Sequence, residues 1–349
     1  MPKSATIKDI ASALGVSPAT VSRALSDNPM IPPATRARVR EAADALGYAA
    51  NRSARQLVKG GGSGFVGLIL TDPGYGREDS YLGEFITGMG RGLADLNTDL
   101  FLSAVPQGQS ELSVIANIVQ TRRADGLVLA RTSEADPRVE FLLSRRFPFV
   151  THGRVLRDDT PFPWLDTDGA SAFAEAFDML YALGHRRFAL VTIEEPMTFR
   201  HHRSEGLRAA IEARGDPTVT LSVATAPRFD PARRQQMVQS MLRRDDRPTA
   251  VICLFDGLAL SVLSEAAALG LTVPHDLSVV GFDNITSAAH AQPGLTTFDS
   301  DTVEGARMLA RMMVERIETG VDAPAQSKLI HPRLVLRGSH GPAPPSLRP

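Results

Sequence analysis

Short apolar runs alternate with longer amphipathic stretches along the chain from residue 64 onward. The apolar runs have the length of buried strands and are Phe65–Leu70, Leu100–Val105, Gly126–Ala130, Phe147–Thr151, Phe188–Ile193, Thr220–Ala224, Ala250–Leu254 and Ser278–Phe282. Residues with helical periodicity lie between them, near 81–97, 110–122, 136–145, 168–183, 200–214, 230–243 and 257–270. Strands separated by helices pair in parallel and are covered on both faces. The pattern therefore predicts an α/β core of two parallel sheets flanked by helices, divided near residues 155–165.

The first 25 residues carry the signals of two short helices. Thr6 and Asp9 have the spacing of a capping box, and Gly15 can end the first helix in the left-handed conformation. Ser17 and Pro18 are residue types preferred where a helix begins, so a second helix is predicted from Pro18 to Leu25. The positions expected to pack inward are Ile7, Ile10, Ala11, Leu14, Val21, Ala24 and Leu25.

A third helix is predicted from Pro33 to Leu46, ending at Gly47, with Ala34, Val39, Ala42, Ala43 and Leu46 on its apolar side. Two short helices joined by a tight turn, the second of them polar outside, form a helix-turn-helix, which places its second helix in the major groove of DNA. The alternative is a small helical bundle without a partner. The outward face of the second helix offers Ala19, Thr20, Ser22 and Arg23.

The segment after this helical head is basic and short. Residues 51–58 form a potential helix of eight residues, which is too short to be stable in water without a partner, and residues 59–64 form a glycine-rich linker. Leu57 is then an exposed apolar residue on a basic helix, as in proteins that wedge a side chain into the minor groove. Residues 1–59 contain nine Lys/Arg and four acidic residues, a net charge of +5, whereas the remaining chain carries −6. A basic head on an acidic body indicates that the head meets a polyanion.

The amino-acid composition argues against a disulfide-bonded, a secreted and a membrane-spanning protein. Cys253 is the only cysteine, so an internal disulfide and a cysteine-based metal site are excluded. The first ten residues lack the apolar region of a secretory signal, and no run of about 18 apolar residues would span a bilayer. We therefore expect a cytoplasmic, nucleoid-associated protein without a membrane partner, a metal or a cofactor.

The sequence of the head resembles the lactose-repressor (LacI/GalR) family. The resemblance lies in the run from Thr6 to Ala11, in Gly15–Leu25 and in Ala45–Asn51. It implies that Pro18, Ala19 and Arg23 read base edges in the major groove, with Arg23 the main hydrogen-bond donor, and that Thr20 and Ser22 contact phosphates. It also implies that Leu57 intercalates. The full set of residues expected at DNA is Thr6, Ser17, Pro18, Ala19, Thr20, Ser22, Arg23, Asn51, Arg52, Ala54, Arg55 and Leu57.

The resemblance covers nearly the whole chain and implies a two-lobed core like a periplasmic binding protein. The expected domains are the helix-turn-helix head at 1–47, the hinge helix and linker at 48–63, and the effector-binding and dimerisation core at 64–340. Within the core, the first lobe is expected at about 64–162 and 296–325, and the second at about 163–295 and 326–338.

Ligands of open parallel sheets bind beyond the carboxyl ends of the strands. Charged residues and an aromatic ring follow the predicted strands at these ends, a combination that suits the hydroxyls and the apolar face of a sugar: Asp72, Arg131, His152, Arg154, Arg203, Phe229, Asp256 and Asp283. The resemblance assigns Arg203 and Asp283 to effector binding, Phe229 to ring stacking, and Tyr81 and Asp166 to contacts from the first lobe. The sequence departs from the family at two of these positions. Phe255 stands where several sugar-binding members have an amide side chain, and His152, Gly153 and Arg154 stand where others have an aspartate. The effector of a known member therefore cannot be assigned to this chain.

Two other motifs are coincidental. The GxGxxG spacing at residues 62–67 precedes the first strand, whereas a dinucleotide motif follows one. His201 and His202 point about 100° apart on a helix, and no carboxylate–histidine motif completes a metal site around them. No nucleophile elbow, phosphate-binding loop or zinc-protease helix is present, so an enzyme is not expected.

The sequence thus predicts a transcription regulator, with repression favoured over activation. We expect it to bind a pseudo-palindromic operator as a homodimer, with a tetramer as the alternative. A small metabolite in the cleft between the lobes controls it, with a sugar favoured over a purine, acting either as inducer or as corepressor. The alternatives are a sugar-modifying enzyme with an appended DNA-binding head and a solute-binding protein for transport.

Overall fold

The computed structural model describes residues 5–26, 28–48, 62–70, 80–106, 108–156 and 161–345. Its contacts divide the chain into two units, residues 1–64 and 65–349. In its described residues the first unit contains three helices, α1 (Ile7–Leu14), α2 (Pro18–Leu25) and α3 (Pro33–Ala45). The capping box is present, since the side chains of Thr6 and Asp9 each accept from the other's backbone N–H, and Gly15 ends α1 at φ 66°.

The core of the head is formed by the apolar positions that the helical periodicity selects. Ile10, Ala11, Val21, Ala24, Val39 and Ala43 are buried. Two predicted core positions are wrong, because Ala34 and Leu46 are exposed. Ala34 lies in the first turn of α3 and Leu46 is its C-cap, where the helix ends. Helical periodicity predicts which face of a helix is buried, but it does not predict how much of the helix length the other two helices cover.

The second unit alternates strands and helices. Its strands are β1 (Phe65–Leu70), β2 (Asp99–Ala104), β3 (Gly126–Ala130), β4 (Phe149–His152), β5 (Trp164–Thr167), β6 (Arg187–Ile193), β7 (Thr220–Ala226), β8 (Ala250–Cys253), β9 (Ser278–Val280), β10 (Thr297–Asp299), β11 (Ser327–Ile330) and β12 (Arg333–Val335). Its helices are α4 (Ser80–Ala94), α5 (Glu111–Thr121), α6 (Pro137–Ser144), α7 (Gly169–Ala182), α8 (Thr198–Arg214), α9 (Pro231–Leu242), α10 (Asp256–Ala268), α11 (Thr286–His290) and α12 (Thr302–Thr319).

Two parallel sheets form the centres of two lobes. The sheet of the first lobe has the order β11-β5-β4-β3-β1-β2, and that of the second lobe has the order β7-β6-β8-β9. Alternate residues of β3 enter different cores, since Val128 packs with α4 and α12 whereas Leu127 and Leu129 pack with α5 and α6. Helices therefore cover both faces of this sheet, and the predicted fold class is confirmed.

The expected lobe boundaries differ from the structure at two short strands. Residues 164–167 and 327–330 were expected in the second lobe, but β5 pairs with β4 and β11 pairs with β5 in the first sheet. β12, also expected in the second lobe, pairs with β10 in a separate antiparallel ribbon. The cause is that these strands are only three or four residues long, and β5 and β11 pair across more than 150 residues of sequence. The local pattern contains no signal for such a pairing.

Glycines allow the helices of the core to approach closely. A Cβ on Gly206 of α8 would lie 2.3 Å from the carbonyl oxygen of Ala170 of α7, and one on Gly88 of α4 would lie 2.3 Å from that of Val303 of α12. The α7–α8 contact fixes the helix that carries Arg203. Among the helices in the described ranges, none is both long enough and apolar enough to cross a membrane.

Candidate functional site

The outer face of α2 carries the side chains expected at DNA. Pro18, Ala19 and Arg23 are exposed, and Thr20 and Ser22 are half-buried. Ser17 caps α2, since its hydroxyl oxygen accepts from the Thr20 N–H at 3.1 Å. Thr6 and Ser17, the N-cap residues of α1 and α2, are both exposed. The remaining residues expected at DNA lie outside the described residues: Asn51, Arg52, Ala54, Arg55 and Leu57.

A cavity of about 630 Å³ lies between the two lobes of the second unit, beyond the carboxyl ends of the strands. Its size is that of a site for a small organic ligand. Eight of the residues singled out in the sequence line it: Tyr81, Arg131, His152, Asp166, Arg203, Phe229, Phe255 and Asp283. The structure thus brings together side chains that are up to 202 positions apart in the chain, from Tyr81 to Asp283.

Arg203 is a buried cation on the second-lobe wall of the cavity. Its guanidinium donates to the carbonyl oxygen of Leu254, lies 3.6 Å from the centroid of the Phe282 ring, and is 3.9 Å from the Asp283 carboxylate. Burial lowers the pKa of Arg203 and raises that of Asp283 to about 6, with Arg203 opposing the second shift. A charged donor and a carboxylate acceptor therefore lie side by side with their side chains only 10% and 17% exposed, an arrangement suited to hydrogen-bonding a polar ligand.

The first lobe contributes an aromatic and hydrogen-bonding wall. The hydroxyl of Tyr81 lies 2.6 Å from Nδ1 of His152, and the Phe85 ring lies 5.2 Å from the imidazole. Burial lowers the pKa of His152, and burial raises the pKa of Tyr81. Both groups are therefore neutral at pH 7, and each can donate or accept a hydrogen bond.

Two of the strand-end candidates, the buried Asp256 and Arg154, are absent from the described lining of the cavity, and Asp72 lies outside the described residues. The Nε of Arg154 donates to Oδ2 of Asp166 at 2.9 Å, and its guanidinium lies 5.5 Å from the centroid of the Trp164 ring. Arg154 therefore holds the carboxylate of Asp166 in place and does not itself line the cavity. The strand-end pattern could not distinguish these roles, because adjacent residues beyond a strand have no fixed periodicity.

Aromatic rings surround a second arginine, Arg228, which the sequence did not single out. Its guanidinium lies 5.1 Å from the centroid of Phe229, 5.4 Å from that of Phe255 and 5.8 Å from that of Phe199. The aromatic surface of the cavity is thus larger than a single stacking ring. Phe255 is an N-cap residue of α10 without a side-chain cap hydrogen bond. Phe255 therefore adds the face of an aromatic ring to the cavity wall, where several sugar-binding family members have an amide side chain.

Other lining residues were also missed, and they come mainly from helices. Thr132 and Thr198 join the lobes through hydroxyls 2.7 Å apart, and the Thr198 N–H donates to the Thr132 carbonyl oxygen at 3.0 Å. His202 lines the cavity, and its Nε2 atom is buried without a hydrogen-bond partner in the described part of the chain. Along α9 and α10 the lining continues through Arg234, Gln235, Ser261, Ser264 and Glu265. In the residues that the structure describes, no group of three or more His, Cys, Asp or Glu side chains could hold a metal ion.

Comparison with known proteins identifies the family. Residues 6–51 match the model of bacterial regulatory proteins of the lacI family, and residues 177–340 match a periplasmic-binding-protein-like domain. The transcriptional regulator AglR of Rhizobium meliloti is 32% identical over 343 residues, which cover 97% of this chain and 95% of AglR. The chain belongs to the lacI family. It is a DNA-binding transcription regulator, and the family predicted from the head is confirmed.

Further relatives of this lacI-family regulator match along almost its full length. The transcriptional repressor CytR of Escherichia coli K12 is 30% identical, with 96% of each chain covered. Among solved structures, a complex of the regulator CelR with cellobiose superposes with a TM-score of 0.71 at 27% identity, covering 96% of this chain and 99% of CelR. The lac repressor dimer bound to operator and an anti-inducer has a TM-score of 0.82 at 22% identity, covering 97% and 99%, and supports the fold.

Proposed function

We propose that this regulator binds a pseudo-palindromic operator as a homodimer and that a small sugar-like metabolite in the interlobe cavity controls the binding. The observation that carries the effector assignment is the pair of the buried Arg203 and the partly buried Asp283, which line the cavity together with aromatic rings. The proposed action is repression of transcription.

The head supports the DNA-binding half of the proposal. Arg23 is exposed on α2, where its guanidinium has the geometry to donate two hydrogen bonds to a guanine edge. One head reads only half a site, so two copies related by a two-fold axis are needed for a pseudo-palindrome. The similar lac repressor is itself a dimer on its operator. The role of Leu57 as a minor-groove wedge and the choice between dimer and tetramer remain predictions.

The composition of the cavity wall favours a sugar over a purine. Planar charged groups and hydroxyls, such as Arg203, Asp283 and Thr198, provide donors and acceptors for vicinal hydroxyls. The aromatic rings provide a face for the apolar side of a pyranose. The relative CelR was solved with cellobiose. A purine is the alternative effector, since the Phe229 and Phe255 rings could stack on a base.

Control of transcription then follows from a difference in effector affinity between lobe arrangements. The lobes are joined at Thr132 and Thr198, and residues from both lobes line the cavity. A ligand that binds one arrangement more tightly shifts operator affinity by a coupling free energy of typically about 1–3 kcal/mol. The sugar induces if it favours the arrangement that misaligns the heads, and corepresses if it favours the other.

A thermal-shift screen of the purified chain against sugars, sugar phosphates and purines tests the effector assignment. A ligand at 100 times its Kd stabilises the folded state by about 2.7 kcal/mol. We expect stabilisation by at least one sugar. Stabilisation by purines alone would assign the alternative effector.

The variant Arg203→Met links the identified ligand to the regulation. We expect it to retain operator binding in a fluorescence-anisotropy titration and to lose the response to the sugar. Arg208→Met is the matched control, because Arg208 lies on the same helix but is half exposed, outside the described cavity lining, and pairs with the exposed Glu205 at 3.5 Å. If Arg203→Met weakened operator binding equally with and without the sugar, the cavity would not be the regulatory site.

A further inference from the structure

The cavity extends beyond the groups at the strand ends, into a groove between α9 and α10. Its wall on α10 is formed by Gly257, Leu260, Ser261, Ser264 and Glu265, whose spacing places them on one face of the helix. From Gly257 to Glu265 this wall is about 12 Å long, at a rise of about 1.5 Å per residue. We name this part of the cavity, together with Arg234 and Gln235 of α9, the helical arm. It is longer than one pyranose ring.

A buried carboxylate stands at the far end of the helical arm. Glu265 is 8% exposed, and its two carboxylate oxygens accept from the side-chain amides of Gln235 at 2.9 Å and Gln239 at 2.7 Å. A buried carboxylate is costly unless it is hydrogen-bonded, and these two amides satisfy one lone pair on each oxygen. The second lone pair on each oxygen remains to accept from a ligand hydroxyl.

The other polar side chains of the arm complete a set suited to hydroxyl groups. Arg234 is 8% exposed and brings a guanidinium to the wall. The Ser261 hydroxyl donates to the Gly257 carbonyl oxygen at 3.0 Å, so its own oxygen can accept from a ligand. Carboxylate, amide, guanidinium and hydroxyl groups are the donors and acceptors that recognise sugar hydroxyls.

Two aromatic rings line the cavity near the starts of the two helices that form the helical arm. Phe255 is the N-cap of α10, and Phe229 directly precedes Asp230, the N-cap of α9. Arg203 contacts Asp283 and the carbonyl oxygen of Leu254, just before α10 begins, whereas Glu265 lies more than two turns further along α10. The cavity therefore offers polar groups in two places, near the start of α10 and at Glu265, together with aromatic faces. Each pyranose ring has hydroxyls at its edge and an apolar face, so this lining suits two linked sugar rings.

We propose that the helical arm is a second sugar subsite and that the effector is a disaccharide or a glycoside. One unit lies against Arg203 and Asp283, and the other lies against Glu265 and Gln235. This inference rests on the proposed function, because it divides the same cavity into two subsites and adds Glu265 as a specificity-determining residue.

Isothermal titration calorimetry on the full chain tests the inference. The probes are maltose, cellobiose, trehalose, sucrose, lactose and melibiose, together with the monosaccharides that compose them. We expect at least one disaccharide to bind about tenfold or more tightly than its component monosaccharides, since the arm adds hydrogen bonds that include one to a charged group. Equal affinity for the disaccharides and for their component monosaccharides would overturn the second subsite and leave the assignment of a sugar effector intact. Binding of neither length would overturn the sugar assignment itself.

Two substitutions locate the second unit. Glu265→Gln keeps the volume of the side chain, and Ser264→Phe fills the arm from a position that is exposed enough to tolerate a ring. Both should lower the affinity for the disaccharide by about tenfold while leaving that for the monosaccharide unchanged. Glu212→Gln, an exposed carboxylate on α8 outside the described lining, is the matched control. A loss of affinity that is equal for both sugar lengths would refute the assignment of Glu265, provided that the melting temperature is unchanged.

Discussion

Asp256, the first residue of α10, is fully buried and is predicted to make the stability of the core fall as pH rises. One carboxylate oxygen accepts from the Thr297 hydroxyl, and the other accepts from the Ile285 N–H at 3.0 Å. Burial, with a smaller contribution from the nearby Asp283, raises the pKa of Asp256 from 3.8 to about 8. The carboxyl is therefore neutral in the folded protein at pH 7, whereas it is ionised in the unfolded chain.

The sign and size of the effect follow from proton linkage. Between pH 4 and pH 8 the folded state binds one proton more than the unfolded state at this carboxyl, so stability is greatest at low pH and is lost as pH rises. Each pH unit within this window changes the free energy of unfolding by about 1.4 kcal/mol, so the change from pH 5 to pH 8 is about 4 kcal/mol.

The variant Asp256→Asn isolates this contribution. Its amide resembles the neutral acid, since the oxygen can accept from the Ile285 N–H and the NH₂ can donate to the Thr297 hydroxyl oxygen. We expect urea unfolding, followed by circular dichroism at a fixed protein concentration, to show the variant gaining about 4 kcal/mol relative to the wild type from pH 5 to pH 8. Asp245→Asn, at an exposed carboxylate, is the control and should leave the profile unchanged. Parallel pH profiles for the wild type and Asp256→Asn would refute the reasoning.

Four further predictions concern binding and packing. Because the pKa of Asp283 is raised to about 6, affinity for a sugar that donates to its carboxylate should fall below pH 6, and calorimetry on Asp283→Asn should show weaker binding without this pH dependence. Arg23→Ala should relax specificity at one base pair by about 1–3 kcal/mol, whereas an equal loss on all sequences in a gel-shift series would make it a phosphate contact. Leu57→Ala should reduce operator affinity and DNA bending, measured by circular-permutation gel shift; unchanged bending would remove the wedge. Gly206→Ala should lower the free energy of unfolding by about 1–3 kcal/mol in urea titrations, because its Cβ would lie 2.3 Å from the Ala170 carbonyl oxygen.

Local chemistry explains why the head and most elements of the core could be predicted. The capping box of Thr6 and Asp9 and the left-handed Gly15 involve residues at most nine positions apart, and each is present in the structure. The apolar runs predicted at 65–70, 126–130 and 250–254 contain the strands β1, β3 and β8, because buried parallel strands need apolar residues on both faces. The family resemblance then singled out Arg203 and Asp283 among many charged residues, and both line the interlobe cavity.

Tertiary structure alone decided features that depend on distant partners. β5 joins the first sheet through pairing with β4 and β11, and the closing strand lies some 160 residues away in the chain. Arg154 faces Asp166 instead of the cavity, and the helical arm with Glu265 exists because α9 and α10 pack side by side. The sequence determines which segments form helices and strands, since hydrophobic period and capping act within a few residues. The position of a side chain in the cavity depends on contacts between segments, which no local pattern encodes.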